Sequence, residues 1–100
     1  MQNYKLILSY DGTDFRGWQR QPGERTVQGT LEAAVFKITR KKVTVHGAGR
    51  TDAGVHALAQ AANFHVMTRL ADDDLFRALN AVLPWDLRIV SLERAAPEFH

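Results

Sequence analysis

The chain has 100 residues, 45% hydrophobic and 24% charged, a balance that fits one globular domain with a modest core and leaves no length for a second. It contains no cysteine, which excludes disulfides and thiolate metal sites, and no apolar run is long enough to span a bilayer or form a signal-peptide core, so a cytoplasmic protein is expected. The net charge of +2 is unevenly spread: residues 1–50 carry nine Lys and Arg against four Asp and Glu, and residues 51–100 carry four against seven, which favours a polyanionic partner for the first half.

Taken in order, Tyr4 to Tyr10 alternates Tyr4, Leu6, Leu8 and Tyr10 with Lys5, Ile7 and Ser9, a period of two that predicts a first strand with one buried face. Asp11-Gly12-Thr13-Asp14 supplies turn chemistry. The next stretch, Phe15-Arg16-Gly17-Trp18-Gln19-Arg20-Gln21-Pro22-Gly23, holds cations for phosphate, a ring for stacking and amides for base edges, the kit of a nucleic-acid contact. Phe15 and Trp18 serve equally well, on composition, as core anchors of a surface loop.

Thr26 can cap a helix in which Val27, Leu31, Ala34, Val35 and Ile38 form one apolar stripe ending near Thr39, with Arg40-Lys41-Lys42 as a solvated helix end. Val43 to His46 reads as a second strand and Val55 to Val66 as a third, the two forming a hairpin around a glycine-rich loop. Ala71-Asp72-Asp73-Asp74 places three acids at the start of a second helix with Leu75, Leu79, Val82 and Leu83 as its stripe, and Pro84 stops it. Leu87 to Leu92 is a short apolar strand. The order βαββαβ predicts an α+β, ferredoxin-like fold: an antiparallel four-stranded sheet with two helices on one face.

The chemistry concentrates in Gly49-Arg50-Thr51-Asp52-Ala53-Gly54-Val55-His56-Ala57. Glycines at 47, 49 and 54 allow positive φ and close approach. Arg50 and Asp52, two apart, share a face in an extended segment, where the guanidinium favours an ionised, oriented carboxylate. A hairpin loop with a solvent-exposed ion pair is the plain alternative. A P-loop would need Lys then Ser/Thr where Val55 and His56 stand, and a dinucleotide fingerprint begun at Gly47 would need glycine at Asp52, so neither nucleotide motif fits. His46, His56, His65 and His100 match no metal-ligand spacing, and neither metal nor cofactor is expected.

The block from Gly49 to Ala57 resembles the catalytic motif of the TruA family of tRNA pseudouridine synthases. Tyr10-Asp11-Gly12, Phe15 to Gln21, Thr26-Val27-Gln28-Gly29, Leu79-Asn80 and Leu83-Pro84 also resemble family segments at matching spacing. The resemblance implies that Asp52 is the catalytic aspartate and Arg50 its orienting partner. It further implies that Arg16, Trp18, Gln19, Arg20, Gln21, Arg50, Thr51 and His56 meet RNA, and that the partner is the anticodon stem-loop of tRNA. Family members are about twice as long or more and dimerise, so residues 1–100 are expected to form the N-terminal catalytic-aspartate part of a homodimeric enzyme, inactive alone. Two other readings remain: a non-catalytic RNA-binding module, which wants aromatic rings on the open sheet face, and an Asp-based hydrolase, which wants a second carboxylate near Asp52.

Overall fold

The computed structural model describes residues 1–49 and 51–96. Its elements are β1 (Gln2–Tyr10), α1 (Val27–Thr39), β2 (His46–Gly47), β3 (Ala57–Val66), α2 (Asp72–Val82) and β4 (Leu87–Ala95), with one 3-10 turn at Gly12–Asp14. The strands form one sheet in the order β2-β3-β1-β4, antiparallel at each pairing. This is the expected α+β, ferredoxin-like arrangement.

The alternation along β1 sets the layers. Tyr4, Leu6, Leu8 and Tyr10 are buried, while Lys5, Ile7 and Ser9 on the other face are partly open. Across β1, Tyr4 pairs with Phe64 and Leu6 with Ala62, and the Tyr4 and Phe64 ring centroids lie 5.7 Å apart. Val27, Leu31, Ala34 and Val35 of α1 and Leu75 and Leu79 of α2 close over this face, each large side chain contributing about 1.5–3 kcal/mol by burial. α1 begins as expected, with Thr26 Oγ1 accepting from the Gly29 N–H at 3.2 Å, and ends on Arg40 in the left-handed region at φ 61°. α2 starts without a side-chain cap; Asp72, Asp73 and Asp74 stand in its first turn, where negative charge suits the helix dipole.

The second strand differs from expectation. Pairing is confined to His46 and Gly47, opposite Asn63 and Ala62, rather than running over Val43 to His46. The reason lies in α1: the Val45 N–H donates to Glu32 Oε2 at 2.9 Å, and the Val45 carbonyl accepts from Gln28 Nε2 at 3.0 Å. Two buried polar side chains of the helix thus take the backbone groups that a longer ladder would have used. The third strand starts at Ala57 instead of Val55, because the Val55 N–H closes a turn onto the Asp52 carbonyl and His56 is engaged with Gly12. The fourth continues beyond Leu92 to Ala95, paired with Asn3. Its outer edge is covered at Ile89, whose N–H and carbonyl both bond the Asn80 side chain at 2.9 Å.

Candidate active site

Three connections meet at one end of the sheet. Tyr10, the last residue of β1, pairs with Ala57 on one side and Leu87 on the other, so the segments 11–26, 48–56 and 83–86 are neighbours. Asp52 lies in the middle segment and is exposed.

The backbone around Asp52 is tied on both sides. The Thr51 carbonyl accepts from the Trp18 N–H at 2.9 Å, the Asp52 carbonyl from the Val55 N–H at 3.2 Å, and the Phe15 carbonyl from the Gly54 N–H at 3.1 Å. Tyr10 Oη and Thr51 Oγ1 share a further hydrogen bond of 2.8 Å. The result is an exposed carboxylate on a fixed main chain, with a shallow depression beside it lined by Thr13, Asp14, Phe15, Arg16, Ala53 and Gly54. A carboxyl group carried on a held backbone at a solvent-open depression can serve as proton acceptor or nucleophile toward a ligand entering from outside.

The two loops are in backbone contact. A Cβ on Gly12 would sit 1.9 Å from the Val55 carbonyl oxygen, and one on Gly17, at φ +87°, 2.7 Å from the Thr51 carbonyl oxygen. The loop before α1 therefore forms a seat for the Asp52 loop. It is itself seated on the helix N-terminus, where the N–H groups of Val27 and Gln28 donate to the carbonyls of Gly17 and Trp18 at 3.2 and 3.0 Å.

A family model described as tRNA pseudouridine synthase matches residues 6–99. The chain belongs to the tRNA pseudouridine synthase family. It is 55% identical, over 100 residues, to the tRNA pseudouridine synthase A of Maridesulfovibrio salexigens, covering all of this chain and 37% of that protein. The tRNA pseudouridine synthase A 1 of Desulfotalea psychrophila is 47% identical over 100 residues, and that of Levilactobacillus brevis, named tRNA pseudouridine synthase A, 46% over 103. The chain spans about two-fifths of the length of the curated relatives it matches, and corresponds to their N-terminal part.

Within this family member the anticipated site residues fall into three groups. Arg16, Gln19, Arg20 and Gln21 are exposed on the loop that seats Asp52. Arg16 is loosely paired with Glu24 at 3.5 Å, whereas Arg20 is tied to the largely buried Glu32 and donates its N–H to Gln28 Oε1 at 2.8 Å. Trp18, Thr51 and His56 hold the loops together. Trp18 is buried at 3% exposure with its ring against Gly47, so of its two possible roles it takes the anchoring one, and its ring offers no open face to a base. His56 Nδ1 accepts from the Gly12 N–H at 2.9 Å and lies 3.2 Å from Asp11 Oδ1. Hydrogen bonds from Thr13 hold the Asp11 carboxyl below its ordinary range, helped by His56. Arg50 lies outside the described residues.

Sequence reasoning passed over the ion pair of Arg25 and Asp86. Arg25 donates to both oxygens of the buried Asp86 at 2.9 and 2.8 Å, and its guanidinium carbon lies 4.1 Å from the centroid of the Phe15 ring. The Asp86 carbonyl also accepts from the Asp11 N–H at 3.0 Å. The two residues stand 61 apart in sequence, so no local pattern links them; a charge wedged between Pro84 and an apolar strand was the only available hint.

Proposed function

We propose that the protein to which this chain belongs converts uridine to pseudouridine in the anticodon stem-loop of tRNA, with Asp52 as the catalytic carboxylate. The reading rests on family membership together with one observation: an exposed Asp52 whose flanking backbone is bonded to a loop rich in Arg and Gln. The isomerisation breaks the N-glycosidic bond, turns the base and rejoins it through carbon 5, with no change of redox state. A carboxylate serves this as nucleophile or as proton acceptor. The target base must first leave its stack, at a cost of a few kcal/mol, and Arg50 is assigned the vacated space and the orientation of Asp52.

Arg16, Gln19, Arg20 and Gln21 then meet the RNA strand directly, while Thr51 and His56 keep the Asp52 loop in register beside it. We assign the working enzyme to the cytoplasm and to a homodimer, with this chain inactive on its own; no described helix is long and apolar enough to cross a membrane. Among the described residues, the sheet face away from the helices carries Lys5, Ile7, Ala61, Ser91 and Glu93 with the imidazoles of His46 and His65 and no Phe, Tyr or Trp ring, which weakens the stacking-module alternative.

The test uses the full-length enzyme and unmodified tRNA. Asp52→Asn is expected to abolish pseudouridine formation, scored by nucleoside analysis, while tRNA affinity stays within about threefold of the parent. Retained turnover would falsify the assignment.

A further inference from the structure

We propose that Trp85 is a stacking platform for a nucleobase of the RNA strand next to the target, a subsite separate from the Arg16–Gln21 loop. This inference rests on the tRNA reading above. Trp85 is 76% exposed, whereas the other tryptophan, Trp18, is 3% exposed. It occupies a corner of the turn Pro84–Leu87, closed by the Leu87 N–H on the Pro84 carbonyl at 3.2 Å. The next residue fixes that turn to the site: the Asp86 carboxylate holds Arg25, which covers the Phe15 ring, and the Asp86 carbonyl holds the Asp11 N–H.

Phe15 in turn lines the depression shared with Ala53 and Gly54. From Asp52 to Trp85 the molecule thus runs through adjoining, mutually bonded segments at the same end of the sheet. A large ring on a rigid corner loses little conformational freedom when it stacks, and every base presents a π-face to it.

The ring's surroundings favour a nucleotide over a protein surface. Asp86 of the same turn is bonded to Arg25 and to Asp11, so charged groups border the turn that carries the ring. Arg16, with its side chain 70% exposed, leaves cationic surface on the adjoining loop for phosphates.

The experiment measures tRNA binding by the intact enzyme with Trp85→Ala and Trp85→Phe, together with iodide quenching of tryptophan emission with and without tRNA. Trp85→Ala should raise Kd about 5- to 150-fold, the factor equivalent to about 1–3 kcal/mol per stacked base. Trp85→Phe should restore most of the affinity. The Trp85 component of the emission, obtained by difference against Trp85→Phe, should be open to iodide in the free protein and shielded by tRNA. Unchanged affinity of Trp85→Ala in an enzyme that still modifies tRNA overturns the subsite and leaves the function standing. Shielding of Trp85 before RNA is added also overturns it, since protein then covers the ring. An unmutated enzyme that neither binds nor modifies tRNA overturns the functional reading, and this subsite with it.

Discussion

Asp86 shows how one buried carboxylate governs the geometry of another that is exposed. Hydrogen bonds from Arg25 lower its pKa from the ordinary 3.8, against the opposing effect of burial. Because the folded value lies below the unfolded one, the pair contributes stability above about pH 4, and that contribution is lost as pH falls through the folded value. Asp86→Asn is therefore expected to destabilise the protein by about 2–3 kcal/mol at pH 7, less than a fully buried pair would lose because Arg25 can rehydrate. The difference in stability between the parent and the variant should shrink as pH falls below 4. Denaturant midpoints across that range check it; a gap that ignored pH would show that the ionised carboxylate is not what holds Arg25 and Phe15.

At the scale of elements, the site is a contact between two loops, and the sequence singled out both without showing that they touch. The glycines at 47, 49 and 54 drew attention, yet an added Cβ would meet the Asp52 loop most severely from the other loop, at Gly12 and Gly17. Both helices and the βαββαβ order were legible because periodicity is a local signal. The short β2 was not, since Gln28 and Glu32 reach Val45 across 17 and 13 residues and override strand propensity there. Gly17→Ala is expected to destabilise by about 2–3 kcal/mol and to displace Thr51 and Asp52, because it adds both a left-handed strain and a clash. Gly23→Ala, at φ +74° with open space around it, should cost only about 1 kcal/mol and leave turnover intact. Equal loss of activity in the two variants would sink the idea that the loop before α1 seats the Asp52 loop.

For the whole molecule, the charge asymmetry read from the sequence acquires a location. Of the nine cations in residues 1–50, Arg25 is consumed by Asp86, and Arg20 is tied to Glu32, which also holds Val45. Arg16, with its side chain 70% exposed and only a 3.5 Å contact to Glu24, is the loop cation most available to phosphate. Composition could place a polyanion partner on this half but could not separate structural arginines from contacting ones, because that depends on carboxylates brought in by folding. The separation has a measurable consequence in the full-length enzyme. Arg16→Ala should weaken tRNA binding and reduce the slope of log K against log salt by about 0.7–0.9, one released counterion, with little change in thermal stability. Arg20→Ala should weaken binding as well, but it also leaves Glu32 as a buried unpaired charge and so lowers the melting temperature. Titrations at several salt concentrations, run beside thermal melts, distinguish the two; an unchanged slope for both variants would remove this loop from the RNA contact and leave the Asp52 end of the sheet without its cationic approach.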